Sequence, residues 1–190
     1  FQVIVGTLIG ATAGFYGGKV DNVLMRINDV FAAIPNLLMA ITIATALGHS
    51  IINMIIAIGI SGTPALARIV RATVMTVKNQ EFVEAGRALG GNDKQIIIFH
   101  LIPNCIAPII VQGTLRIAAA ILATSSLSFL GIGIKPPTPE WGNMLSAGRE
   151  FLRNAPHITV IPGIFIIITI LSINLMGDGL RDALDPKLKR

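Results

Sequence analysis

Charge is scarce in this sequence. Only 13% of its 190 residues are Asp, Glu, Lys or Arg, about half the share usual in a soluble domain. So few polar groups cannot cover a water-soluble globule of this length, unless the chain is an apolar subunit buried in a larger assembly. Cysteine is nearly absent. Cys105 stands alone, so an intrachain disulfide is excluded and its role is that of a small apolar packer. The three histidines, His49, His100 and His157, fall in separate segments without ligand spacing, so no metal site is expected. No Gly-x-x-x-x-Gly-Lys-[Ser/Thr] occurs, and with it goes a nucleotide-binding loop. No apolar run holds paired carboxylates or a serine–histidine constellation. Asp29 and Asp178 come nearest, both at run ends, so no catalytic site is expected. The opening run from Phe1 has no basic leader and no cleavage signal. It does not look like a signal peptide, and the expectation is a portion of a longer protein.

What the chain has in abundance is apolar sequence: 53% hydrophobic residues and a mean hydropathy of +0.73. Five runs approach or exceed the roughly 17 to 25 residues a spanning helix needs. They cover about 1–16, 30–47, 51–70, 107–130 and 158–176. They are continuous rather than alternating, and a spanning backbone must satisfy its own hydrogen bonds, so helix is predicted for all five. The fold class is an all-α membrane protein with one transmembrane domain over 1–190. Pro35, Pro64, Pro108 and Pro162 interrupt these runs, and Gly6, Gly10, Gly14, Gly59, Gly62 and Gly113 thin them. Tight helix packing accounts for such residues, and so does a bundle that changes shape.

The net charge of +5 does not point to nucleic acid. The basic residues sit between apolar runs, with no RNA-binding or zinc-finger spacing. They give orientation instead. With five spans, one side holds Lys19, Arg26, Arg68, Arg71, Lys78, Arg87, Lys94, Arg181, Lys187, Lys189 and Arg190, and the other only Lys135, Arg149 and Arg153. The richer side is the cytoplasm, which places the C-terminus inside.

Two stretches are too polar to span. The cytoplasmic one, about 71–104, is predicted as a helix over Thr73–Leu89, a turn at Gly90-Gly91-Asn92-Asp93, and a second helix from Lys94 that Pro103 ends. The external one, 131–157, carries Pro136-Pro137-Thr138-Pro139 followed by Glu140-Trp141-Gly142. Trp141 suits an interfacial anchor, with substrate gating as the functional alternative. Arg116 lies within a span, where it either snorkels to the inner surface or faces a pathway or a partner subunit. Ser125, Ser126 and Ser128 either line a pathway or bond neighbouring carbonyls.

The cytoplasmic stretch reads Glu84-Ala85-Gly86-Arg87-Ala88-Leu89-Gly90, then nine residues, then His100-Leu101-Ile102-Pro103. It resembles the signature loop of bacterial ABC importer permeases: Glu-Ala-Ala, three residues, Gly, nine residues, Ile-x-Leu-Pro. Glu84, Ala85, Gly90 and Pro103 match. Gly86 stands for the second Ala, His100 for Ile and Ile102 for Leu. Gly17-Gly18-Lys19-Val20-Asp21, Leu24-Met25-Arg26, Ser128-Phe129-Leu130-Gly131-Ile132-Gly133, Pro139-Glu140-Trp141-Gly142 and Gly177 to Pro186 are similar to one subfamily, the second permease of dipeptide, oligopeptide and nickel importers. Its members usually have six spans, so the first is expected to be missing here.

The resemblance implies the core of the type I importer permease, working by alternating access in a bacterial or archaeal cytoplasmic membrane. It implies a second permease subunit, usually in a heterodimer, two cytoplasmic ATPase subunits that bind ATP and Mg, and an extracytoplasmic binding protein. Glu84, Ala85, Gly86, Gly90 and Pro103 would form the ATPase-coupling helix loop. Arg116, Ser125, Ser126 and Trp141 are the pathway candidates. No cofactor and no enzymatic activity are expected in this chain. Peptides lead as cargo; glutathione, opines, nickel and other small solutes remain open within the family. An ATP-independent secondary transporter or channel is the alternative from another class, and it would want ionisable residues near the bilayer midplane.

Overall fold

A computed structural model describes residues 1–184, all helices and connecting turns, with no strand among them. Lys187, Lys189 and Arg190 of the charge tally, and Asp185-Pro186 of the C-terminal motif, lie outside the described residues. In order the helices are α1 (Gln2–Tyr16), α2 (Gly18–Ala32), α3 (Asn36–Leu47), α4 (Ile51–Val77), α5 (Glu81–Ala88) and α6 (Asp93–Gln95). A π-helical segment (Ile96–Leu101) leads into α7 (Ile102–Phe129), and then come α8 (Trp141–Gly148), a 3-10 turn (Arg149–Phe151) and α9 (His157–Leu184).

Three helical stretches, Ile51–Val77, Asp93–Phe129 and His157–Leu184, are long and apolar enough to cross a bilayer. The five predicted runs map onto α1, α3, α4, α7 and α9. Of these, α1 has 15 residues and α3 only 12. The 30–47 run is not one helix: it breaks between Ala32 and Asn36, and α2 and α3 match a span only when taken together as a broken pair. Pro35 sets the break. It has no N–H, and its ring drives the residue before it away from helical geometry, so Pro35 is the extended N-cap of α3. Gly17 and Gly18, both at positive φ, end the first run.

The chain divides into two compact units. The first holds residues 1–34, 62–113 and 180–184. In it α1 lies against α4 along Gly6, Gly10 and Gly14. A methyl placed on Gly10 would come 2.8 Å from Val70 Cβ and 2.9 Å from the Arg71 nitrogen. Glycine at every fourth position is what lets the two backbones approach this closely, and in lipid that approach is itself the source of packing energy. Ala11, Phe15, Leu66, Val70, Val74, Val83, Ile96, Leu101, Cys105 and Ile109 form the core.

Helix α2 is built the wrong way round for a protein in water. Its buried residues are Asp21 and Asn28, whereas Val20, Val23, Ile27 and Val30 are exposed. Asn28 donates to the Pro64 carbonyl at 3.2 Å. Arg71 grips Asp21 with Nε and Nη2, both at 2.5 Å.

The second unit holds 35–61 and 114–179. Its small core is Ala40, Met54 and Leu127, flanked by Ile41, Ile58 and Ile134. After α7 the chain reverses at Gly131, φ 79°, and the amides of Ile132 and Gly133 both donate to the Leu127 carbonyl. His49 Nδ1 meets the Gly133 carbonyl at 3.2 Å. Asn143 Nδ2 donates to the Ile134 carbonyl.

The 71–104 stretch departs from its predicted layout in two places. Helix α4 runs on to Val77, so the expected Thr73–Leu89 helix is broken over Lys78-Asn79-Gln80. Lys78 Nζ turns aside to the Gly14 carbonyl at 2.9 Å, and Gln80 is extended. Pro103 ends nothing: helix is continuous from Asp93 to Phe129. The π-helical turn explains this. Its wider ring opens the backbone just ahead of Pro103, where a proline would otherwise clash with the carbonyl four residues back. Asn92 and Gln95 start that helix with a reciprocal capping box.

Candidate functional site

Two places collect the candidate residues. The first is α5 and the turn after it. Val83 and Gly86 are buried and hold one face of α5 on the core. That leaves Glu81, Glu84, Ala85 and Ala88 on the exposed face, as the 3.6-residue repeat requires. Arg87 does not reach Glu84. Its guanidinium lies 5.3 Å over the Phe15 ring instead, a cation–π contact that ties α5 to α1. The two ion pairs given among the described residues are Arg68–Asp29 and Arg71–Asp21, and neither involves Glu84. The exposed carboxylate is therefore available to a group outside the chain.

Gly90 has φ 84° and open space around its Cα. It is glycine for its left-handed backbone, as no neighbour stands close enough to forbid a side chain. The close approach belongs to Gly91, where a methyl would sit 2.8 Å from the Gly86 carbonyl oxygen. Leu89, just before this turn, is 89% exposed. Sequence reasoning passed over it. The available signal was a large apolar side chain at the end of a short charged helix, just before the Gly90-Gly91 turn.

The ion pairs on α2 brace this unit. Arg71 holds the Asp21 carboxyl through two direct hydrogen bonds. The Arg68–Asp29 pair, 2.7 Å, is more than half exposed on both sides.

The second place lies on α7 and α8. Ser125 and Trp141 line one cavity of about 630 Å³ with Ile117, Ala120, Thr124 and Glu140. Glu140 was not singled out in the sequence, yet its carboxylate organises this end. Its Oε2 accepts the Asn143 amide at 2.8 Å and so caps α8, and Ser125 Oγ donates to its Oε1 at 3.4 Å. The readable signal was a carboxylate heading an apolar helix. Gly142 lets α8 press on Ser125: a methyl there would lie 2.8 Å from the Ser125 Cα. The Trp141 ring stacks on Phe165, centroids 6.2 Å apart. Ser126 donates to the Leu122 carbonyl at 2.8 Å, the ordinary role of a span serine. It borders a smaller cavity of about 430 Å³ with Phe129 and Leu145. Arg116 lines neither cavity. It is half-buried at the middle of the 28-residue α7, in neither of those two ion pairs.

Apolar helices packed through a glycine row, with a polar projection carried between two of them, are the build of an integral membrane component. The chain belongs to the family of binding-protein-dependent transport system inner membrane components, whose model matches residues 6–190. It is 46% identical over 188 residues to the di/tripeptide transport system permease protein DppC of Pseudomonas aeruginosa, covering 99% of this chain and 62% of that protein. It is 48% identical over 193 residues to the glutathione transport system permease protein GsiD of Escherichia coli O157:H7, covering 100% and 64%. The chain thus spans a little under two thirds of the length of these curated relatives. Among solved structures, an inward-facing MetNI methionine ABC transporter matches with a TM-score of 0.67 at 15% identity, over 97% of this chain and 93% of that one. That likeness is one of fold.

Proposed function

We propose that this chain is the core of a permease subunit in an ATP-driven importer that carries di- or oligopeptides across the cytoplasmic membrane. The observation that carries the proposal is the 46% identity, over 99% of the chain, to a di/tripeptide permease. The protein itself is a conduit and not an enzyme. A second permease subunit completes the pathway, two ATPase subunits on the cytoplasmic side hold ATP and Mg, and a binding protein outside delivers cargo. The C-terminus is cytoplasmic, on the side richer in Lys and Arg.

The α5 turn is the coupling element. Glu84, Ala85, Ala88 and Leu89 offer an outward carboxylate beside a small apolar knob, suited to a complementary groove on an ATPase subunit. Val83 in the core and Arg87 on Phe15 fasten α5 to α1 and α4, so a push on the outer face moves helices rather than a loose loop. ATP then has only to favour one arrangement of the bundle over the other. The closeness to glutathione permeases, 48% identity, favours short peptide-like solutes as a second description of the same cargo class.

The test is uptake and assembly together. Full-length permease is co-expressed with its partner subunits, and Glu84→Ala and Leu89→Asp are compared with wild type. Loss of ATPase co-purification and of ATP-driven peptide uptake, with the permease still folded, is expected. Uptake that persists without the ATPase subunits and collapses with the proton gradient would replace this reading with secondary transport.

A further inference from the structure

Within the second unit, Arg116, Ala120 and Thr124 recur every fourth residue along α7 and climb one ridge of the helix. Ala120 and Thr124 line the larger cavity, and Arg116 stands one turn before Ala120 at the foot of that ridge. Among the described residues its guanidinium takes part in no hydrogen bond or ion pair. A charge at mid-span has to be met by something: water, a partner chain or the cargo.

The far end of the ridge carries the opposite sign. Glu140 lines the same cavity and is bonded to Ser125. An ionised carboxylate has about four acceptor positions. The Asn143 amide and Ser125 hydroxyl use two, and the remainder suit an ammonium group. Trp141 beside it lines the cavity too, and an indole face attracts the same cation. From Arg116 to Ser125 is nine residues, about 13 Å along the helix axis. An extended peptide covers about 3.3–3.6 Å per residue, so about four residues bridge the interval, and three do so with the reach of the long arginine side chain.

We propose that Arg116 and Glu140 are the two charge-recognition points for a short zwitterionic peptide on this chain: Arg116 takes the C-terminal carboxylate, and Glu140 with Trp141 takes the N-terminal ammonium. The proposal rests on the peptide-importer reading above and adds to it which residues read the cargo.

The test uses the full-length permease with its partner subunits and binding protein in proteoliposomes. Three cargoes are compared at concentrations that saturate the binding protein: a tripeptide with free ends, its C-terminal amide and its N-acetyl form. In wild type the free tripeptide is carried about ten-fold or more faster than either blocked form, the size expected for one charged hydrogen bond. Arg116→Gln lowers the free peptide to the rate of the amide, while Arg116→Lys keeps most of the difference. Glu140→Gln, which retains an acceptor for the α8 cap, levels the free and N-acetyl forms. Equal loss for all three cargoes in Arg116→Gln, or failure of the two permease subunits to associate, overturns the proposal and assigns Arg116 to a carboxylate on the partner chain. Absence of ATP-driven uptake of any peptide by wild type overturns the importer reading, and this one with it.

Discussion

The imidazole of His100 occupies the space beside Gly86, and a methyl on residue 86 would come 3.3 Å from its Nε2. These are two of the positions where the loop departs from the family pattern, and they touch. A larger ring at 100 and a smaller residue at 86 compensate one another. Gly86→Ala gains up to about 1 kcal/mol of helix propensity but crowds the ring. Gly86→Ala and His100→Ile together are expected to be more stable than the sum of the single changes, by about 0.5 kcal/mol or more. Thermal unfolding of the four proteins in detergent measures this, and strict additivity would refute it.

Gly10 has the least room of the α1 glycines, pressed on the α4 backbone at Ala67–Arg71. Gly10→Val is expected to part the two helices and cost about 1–3 kcal/mol or more. Gly179, with nothing within 4 Å, is the control: Gly179→Ala should leave stability unchanged or raise it by up to about 1 kcal/mol. Protease resistance and melting temperature of both variants decide the matter.

Asp21→Asn leaves Arg71 without its bidentate partner. The pair is partly exposed, with side-chain accessibility of 32% for Arg71 and 12% for Asp21, so the loss is expected at about 1–3 kcal/mol, below that for a fully buried pair. Melting of wild type and the Asp21→Asn variant in detergent measures the difference, and equal melting temperatures would refute it.

Leu89 tests whether the exposed face of α5 is for docking. At 89% exposure, Leu89→Asp has no core to disturb and should melt within about 0.5 kcal/mol of wild type. Binding of purified ATPase subunits, followed by co-sedimentation, should nevertheless fall. Unchanged binding would point to another face.

Much of the helix inventory was legible because hydropathy and glycine act locally. Gly90 takes the positive φ that its place in a predicted turn suggested, and Gly17 and Gly18 take it where the first apolar run stops. What stayed hidden depended on partners distant in sequence. Pro35 broke a predicted span while Pro103 broke nothing, since only the second follows a π-helical turn that makes room for it. Arg87 could have met Glu84 three residues away, but Phe15 from α1 takes it. Glu140 reads as one more loop carboxylate until α8 folds back on Ser125. Gly86 and His100 looked like two unrelated departures until the turn brought them together.

The inverted face of α2 bears on the order in which the chain is assembled in the membrane. Asp21 and Asn28 emerge from the ribosome long before Arg71 and the Pro64 carbonyl that satisfy them. Until α4 arrives, α2 has polar groups that oppose deep insertion and an apolar face that opposes release into water. It should wait at the headgroup level, an interfacial helix for a time, and take its place only when α4 threads in beside it. A translocation assay that truncates the nascent chain before residue 64 or after residue 77 would distinguish a parked α2 from a settled one.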